Sequence, residues 1–138
     1  MTASTTAPTS REISGLTKVY GILADPIHHV KTPQMLNALM AREGRDGVMV
    51  PFHVSSEELP RLVDGLKAMK SRGGFVVTVP HKTAIVDLLD EVSDSARRIG
   101  ACNVVRREED GRLVGDMLDG KGFVGGLIAR LQHGGGQL

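Results

Sequence analysis

The sequence is poor in the residue types on which several classes of protein depend. A single cysteine, Cys102, excludes an internal disulfide and is typical of a reducing cytoplasm. Its position at the entry to an apolar run predicts a buried thiol rather than a nucleophile. Tryptophan is absent and aromatic residues make up 3% of the chain, which argues against a surface that stacks nucleic-acid bases. A net charge of +1 offers no basic stripe for phosphates, and no apolar run approaches the length of a membrane span. We therefore expect a cytoplasmic protein that binds neither nucleic acid nor membranes.

The chain otherwise has the composition of an ordinary globular domain. It is 41% hydrophobic and 24% charged over 138 residues, a length sufficient to bury one core. The first residues are rich in Thr, Ser and Ala, and three glycines occupy positions 134–136. We therefore expect a disordered tail over residues 1–16, one folded domain over 17–132 and a linker stub over 133–138.

Residues 75–79 form the stretch around which the chain is organised. Their apolar, β-branched side chains predict a strand buried on both faces, and Pro80 predicts its end. Lys82 follows at the carboxyl end of that strand, where open α/β sheets bind their ligands. A lysine held there by a rigid element can serve as a general acid or base, with an ordinary surface lysine as the alternative. Asp119 lies in a comparable setting further along the chain.

The remaining segments alternate between strand and helix patterns. Strands are predicted at 18–23 and 48–53, and Pro51 places the second near an edge of the sheet or makes it irregular. One helix is expected to start with Thr32 as its N-cap, and another to be capped by Ser55 or Ser56 and to end at the glycines 73–74. A further helical turn is expected to be capped by Ser93 or Asp94. A hairpin around residues 110–111 and a final helix over 122–131 complete the pattern. The predicted fold is an α/β three-layer sandwich with a mostly parallel sheet, plus a C-terminal β-hairpin and helix.

Four motifs in this order resemble the N-terminal, substrate-binding domain of the shikimate dehydrogenase family. Residues 20–33 (YGILADPIHHVKTP) are similar to the family's strand, Gly-Asn-Pro-Ile turn and His-Ser-Lys-Ser-Pro. Residues 77–82 (VTVPHK) resemble Asn-Val-Thr-Val-Pro-x-Lys without its first Asn. Residues 100–103 (GACN) resemble Gly-Ala-Val-Asn, and residues 115–120 (GDMLDG) resemble Gly-x-Asn-Thr-Asp-Gly. Together the motifs span nearly all of the predicted domain.

The resemblance implies an enzyme that oxidises a secondary alcohol of a cyclic hydroxy acid and passes hydride to NADP or NAD. Lys82 and Asp119 take the positions of the family's catalytic Lys and Asp. One of them is expected to accept the hydroxyl proton, since hydride cannot leave the carbon until that proton is being removed. The sequence leaves open which of the two accepts it, and a structural ion pair is the alternative.

Several positions depart from the family's pattern, and these departures predict an altered pocket. Val30 replaces the first hydroxyl of the family's Ser-x-Ser carboxylate site, Thr32 keeps the second, and Val76 replaces an Asn that binds ring hydroxyls. His28 is a candidate proton donor to the substrate anion. Since each unpaired polar group costs about 1–3 kcal/mol, shikimate itself is expected to bind poorly or in another pose. The family's substrate-site positions are retained at Thr78, Lys82, Asn103 and Asp119.

The family's nicotinamide-cofactor domain is the feature that this sequence lacks. The glycines at 134–136 are preceded by no buried strand and followed by no helix, so they are not a dinucleotide-binding turn. We therefore expect this chain to bind no cofactor and to be inactive alone. The alternative is a stand-alone, non-catalytic module that binds a small acid or regulates in response to one. A homodimer is left open, and no metal is expected because no third ligand accompanies His28 and His29 at a suitable spacing.

Overall fold

A computed structural model describes residues 12–119 and Leu127, and places six strands in one sheet with the order β2-β1-β3-β5-β6-β4. The strands are β1 (Lys18–Ala24), β2 (Gly47–His53), β3 (Arg72–Val77), β4 (Glu91–Val92), β5 (Val104–Arg107) and β6 (Leu113–Asp116). Strands β2, β1 and β3 run parallel, β5 is antiparallel to both β3 and β6, and β4 is parallel to β6. The predicted α/β fold with a mostly parallel sheet is confirmed. The predicted helix 122–131 lies outside the described residues except for Leu127, which is helical.

Helices cover both faces of the sheet and so produce three layers. They are α1 (Thr32–Arg42), α2 (Leu59–Ala68), α3 (Asp94–Ile99) and a 3₁₀ helix (Ala84–Leu88). Leu36 and Met40 of α1 join a core cluster on one face, whereas Leu59, Val63 and Leu66 of α2 join a second cluster with Phe75. Within the described part of the chain, no helix has the length and apolarity that crossing a membrane requires.

The central strand has different ends from those the sequence predicted. Strand β3 begins at Arg72 and includes Gly73, which makes room for a neighbouring ring: a Cβ at position 73 would overlap the side chain of Tyr20. The glycine therefore serves close packing within the sheet and does not end α2. At the other end the strand stops at Val77, because the Thr78 carbonyl closes a turn by accepting from the His81 N–H at 2.9 Å.

Two of the predicted helix caps are wrong and a third is confirmed. Lys31 occupies the N-cap of α1 without a side-chain hydrogen bond, because the turn closed by Val30 N–H and Ile27 C=O (3.0 Å) runs directly into the helix. The N-cap of α2 is Glu58, and Ser55 instead accepts from the Glu58 N–H (3.3 Å) in the preceding turn. The confirmed cap is that of α3, where the hydroxyl of Ser93, expected together with Asp94 as a cap candidate, accepts from the Ala96 N–H at 3.2 Å.

Strand β2 lies at an edge of the sheet, as Pro51 predicts, and its outer side is occupied by a side chain of α1. The carboxamide of Asn37 donates to the Met49 carbonyl (3.0 Å) and accepts from the Met49 N–H (2.7 Å). It therefore takes the place of a neighbouring strand, and Pro51 has no N–H to offer one. These contacts disfavour pairing of a second chain along this edge.

Asp90 follows the 3₁₀ helix by two residues and hydrogen-bonds the hairpin of β5 and β6. Its carboxylate accepts from the Leu113 N–H at 2.8 Å and from the Lys67 ammonium at 3.4 Å. The pKa of Asp90 lies below its usual value, mainly because of the hydrogen bond from Leu113 and secondly because of Lys67. A carboxyl with a depressed folded-state pKa stabilises the fold above the unfolded-state pKa and loses that contribution as pH falls through the folded-state pKa.

Asp90→Asn is therefore expected to reduce the free energy of unfolding by about 0.5–1 kcal/mol near neutrality, since this side chain is partly exposed. The difference from wild type should shrink as pH falls from about 7 toward 3, because asparagine resembles the protonated acid. Urea unfolding of both proteins across this pH range measures the difference in their free energies of unfolding. Asp87→Asn is the matched control, since Asp87 is exposed and forms no ion pair with any described residue. A constant difference at all pH values would contradict the assigned role of the Asp90 charge.

Candidate substrate site

A cavity of about 360 Å³ opens where β1 and β3 end. The two strand ends are joined by hydrogen bonds from Thr78 N–H to Leu23 C=O (3.1 Å) and from Asp25 N–H to Val79 C=O (3.2 Å). The cavity therefore lies at the carboxyl edge of the parallel strands, where ligands bind in open α/β sheets. Its lining residues are Ile22, His29, Val30, Lys31, Thr32, Val76, Val77, Thr78, Lys82 and Asn103.

Six of the eight predicted site residues line this one cavity: Val30, Thr32, Val76, Thr78, Lys82 and Asn103. His28 does not. It lines a neighbouring cavity of about 400 Å³ between α1 and β2, with its ring in edge contact with His29 (centroids 5.7 Å apart). Asp119 is exposed and directly follows Leu118, whose main chain is bonded to Asn103. The pairing of Lys82 with Asp119 stays a prediction.

Lys82 lies in a turn that hydrogen bonds connect to two other segments, at Val54 and at Cys102. His81 is fully buried, and its Nε2 lies 2.8 Å from the Val54 carbonyl; because a carbonyl only accepts, this nitrogen carries the proton. On the other side, the Lys82 carbonyl accepts from the Cys102 N–H at 2.9 Å. Sequence reasoning missed His81, since nothing in the pattern distinguishes a buried histidine after Pro80 from an exposed one.

Asn103 contributes more than a side chain facing the cavity. Its Nδ2 donates to the Leu118 carbonyl (2.8 Å), and its Oδ1 accepts from the Leu118 N–H (2.9 Å). Its own main chain accepts from Val77 (2.9 Å) and donates to Asp116 (3.1 Å). The residue therefore connects the end of β3 with the segment that leads to Asp119.

The cavity carries positive charge. Among its described lining residues are two lysines, Lys31 and Lys82, and no Asp or Glu. The first turn of α1 also begins here, with no acidic residue and no side-chain cap, so its N–H groups add a positive dipole end. Lys31 was not predicted, although it stands between Val30 and Thr32, the two positions of the family's Ser-x-Ser. This arrangement favours an anionic ligand.

One wall of the cavity is apolar where the resemblance implies hydrogen-bonding groups. Val76 is 2% exposed and belongs to the core cluster that includes Ile22 and Leu36, with Val30 packed against it. Neither valine can donate to or accept from a ligand. Thr32, Thr78 and Asn103 supply the neutral polar groups of the lining.

Cys102 does not supply a nucleophile to the cavity. Cys102 is fully buried, as predicted, and burial raises the pKa of its thiol to about 11, so it stays protonated near neutrality. Within residues 12–119 and at Leu127, no three His, Cys, Asp or Glu side chains are grouped so as to hold a metal ion.

The turns that follow the three parallel strands contain no glycine. A dinucleotide-binding turn needs glycines between its strand and helix, so that the backbone can approach the pyrophosphate. The segments that follow β1, β2 and β3, residues 25–31, 54–58 and 78–83, contain no glycine. None of these three segments is therefore a glycine-rich dinucleotide-binding turn.

Comparison with known proteins identifies relatives of this domain. The family model for the shikimate dehydrogenase substrate binding domain matches residues 22–105. The shikimate dehydrogenase (NADP(+)) of Geobacter metallireducens is 46% identical over 120 residues, covering 87% of this chain and 41% of that protein. The chain thus spans about two fifths of the length of the curated relatives that it matches.

Solved structures agree with that match. Shikimate 5-dehydrogenase of Listeria monocytogenes, in complex with shikimate and NAD, has a TM-score of 0.77 at 36% identity over 90% of this chain and 42% of its own. Ligand-free 5-ketofructose reductase of Gluconobacter sp. strain CHM43 has a TM-score of 0.73 at 36% identity over 82% of this chain and 40% of its own. Sequence and fold lead to the same conclusion: the chain belongs to the shikimate dehydrogenase substrate-binding-domain family.

Proposed function

We propose that this chain is the substrate-binding part of an NAD(P)-dependent dehydrogenase for a cyclic hydroxy acid, and that it is inactive without a cofactor domain. The observation that supports this most directly is the cavity at the ends of β1 and β3, which brings Lys82 together with Thr32, Thr78 and Asn103. A cation-lined pocket with a few neutral polar groups suits an acid that also carries hydroxyls.

Lys82 acts on the proton of the reacting hydroxyl in this proposal. Oxidation of a secondary alcohol requires that its O–H proton be removed while the carbon gives up hydride, and in the reverse direction an ammonium returns that proton to the forming alkoxide. Asp119 holds the amine in place or hydrogen-bonds a substrate hydroxyl, and either member of the pair is a candidate proton acceptor. Thr78 and Asn103 orient the ring.

The preferred substrate differs from shikimate in this proposal. Val30 and Val76 present methyl groups where the resemblance implies a hydroxyl and an amide, so two polar groups of shikimate would lose partners. Lys31 still offers a cation for a carboxylate. A relative named 5-ketofructose reductase supports the idea that this domain serves more than one substrate.

A second candidate function is a non-catalytic module that binds or senses a small acid. It is favoured by the lack of glycine in the turns after β1, β2 and β3 of the described chain, and by the cation-lined cavity, which needs no cofactor to attract an anion. Both candidates share the ligand class and differ in whether hydride is transferred.

Titration calorimetry and a turnover assay separate these candidates. The 138-residue chain should bind cyclic hydroxy acids such as quinate more tightly than their neutral carboxamides, since two ammonium groups face the ligand. The complete protein should then reduce NADP+ or NAD+ with such an acid, whereas the 138-residue chain should not. Binding without any nicotinamide reduction by the complete protein would favour the non-catalytic module. Equal binding of acid and amide would contradict both.

A further inference from the structure

We infer that Cys102 and Asn103 form a bracket that sets the spacing between Lys82 and Asp119, and that Asn103 is a positioning residue for Asp119. This inference rests on the proposed function, because it assigns Asn103 a task in that reaction beyond contact with substrate. The two residues are consecutive, and they hold segments that lie about forty residues apart in the sequence.

The bracket contacts each partner through a main-chain group. The Cys102 N–H donates to the Lys82 carbonyl at 2.9 Å, so it fixes the backbone from which that amine extends. The Asn103 carboxamide bonds both the N–H and the carbonyl of Leu118, at 2.9 and 2.8 Å, one residue before Asp119. Two hydrogen bonds to a single residue restrain its peptide planes as well as its position, which one bond would not do.

Packing holds the bracket itself against the sheet. Cys102 is fully buried, and a Cβ on Gly115 of β6 would lie 2.7 Å from its sulfur, so strand and thiol are in close contact. The main chain of Asn103 is bonded to Val77 of β3 and Asp116 of β6. The bracket is therefore anchored between the two strands whose ends carry the proposed catalytic groups.

Hydrogen-bond accounting limits what Asn103 can offer a ligand. Leu118 uses one N–H of Nδ2 and one lone pair of Oδ1, so the second N–H and the other lone pair of Oδ1 are left for a ligand. The clamp uses only the main chain of Leu118, so the change from the family's Thr to Leu at this position leaves it intact. Asn103 can therefore contact a ligand while it keeps both of its bonds to the main chain of Leu118, the residue before Asp119.

Amide hydrogen exchange of the ligand-free 138-residue chain tests the bracket without any activity. Asn103→Ala removes both bonds, and the Leu118 amide should exchange about tenfold faster or more. Asn103→Asp keeps an oxygen acceptor for that amide and should retain most of its protection. Asn37→Ala is the matched control: it removes the same two-bond clamp from Met49 at the edge of β2, so it should expose the Met49 amide and leave Leu118 protected.

Kinetics of the complete protein supply the second readout. Positioning predicts that Asn103→Ala lowers kcat more than it raises KM, with partial recovery of kcat in Asn103→Asp. Should Asn103→Ala fail to fold, Asn103→Ser is measured in its place. Unchanged exchange at Leu118, or a raised KM at full kcat, would overturn the inference and leave Asn103 as a substrate ligand only. A wild-type protein without turnover would instead defeat the proposed function, and the exchange result would still decide whether the clamp exists.

Discussion

Replacement of Lys82 by methionine or by arginine is expected to lower turnover of the complete protein by about 10²- to 10⁴-fold, the usual contribution of a general acid or base. Methionine removes the ammonium group altogether. Arginine keeps the positive charge, but it cannot release a proton near neutrality, so it should be as inactive as methionine. Steady-state rates in both directions measure the effect. Thermal unfolding should be nearly unchanged, because the side chain of Lys82 lines a cavity and is only partly buried.

The two substitutions are expected to differ in binding. Lys82→Arg should bind the acid within a few-fold of wild type, whereas Lys82→Met should bind it more weakly because one of two cations is lost. Lys70→Met is the control for removing a lysine, since Lys70 is exposed between α2 and β3 and does not line the cavity. Turnover of Lys82→Arg near the wild-type rate would refute a proton-transfer role and reduce Lys82 to a binding charge.

The double substitution Val30→Ser and Val76→Asn is expected to raise kcat/KM with shikimate by about ten- to a hundred-fold. The hydroxyl and the amide would restore partners that the resemblance implies for the carboxylate and a ring hydroxyl. At about 1 kcal/mol for each restored partner, the two together correspond to about thirtyfold. The wild-type protein should accordingly use shikimate poorly. Rates with shikimate and quinate, measured in parallel, establish both points.

Two further variants control for the location of the change and for loss of stability. Val50→Ser places the same change on β2, away from the cavity, and should leave shikimate kinetics unchanged. Val76 is buried in the core, so an asparagine there costs stability, and Val30→Ser alone is measured in case the double variant unfolds. Efficient use of shikimate by the wild-type protein would show that the valines do not alter specificity.

Much of the fold could be predicted because its signals are local. Apolar, β-branched runs and turn residues predicted β1, β2 and β3, and the pair Asp110-Gly111 predicted the hairpin of β5 and β6, in which Gly111 adopts a φ of +97°. Pro51 indicated the edge strand for a similarly local reason, since the strand lacks a donor on the side to which the N–H of residue 51 would point.

Predictions failed where a distant contact overrides local preference. The predicted second helix extended to Gly73, yet Arg72 is 2% exposed at the start of β3 and donates to the Leu66 and Gly73 carbonyls. The pKa of Arg72 is lowered to about 10, mainly by burial and secondly by the charge of Arg107. The strand β4 was missed because it has two residues and exists through its pairing with β6.

The sequence by itself determined the family, the order of the central strands and helices, and six residues that share one cavity, because these follow from motifs and periodicities that short segments carry. Only the tertiary structure decided that Lys31 joins that cavity, that His28 lies in a different one, and that Asn103 bonds the main chain of Leu118. These facts depend on the meeting of segments far apart in the chain, and therefore on packing and hydrogen bonds that no single segment specifies.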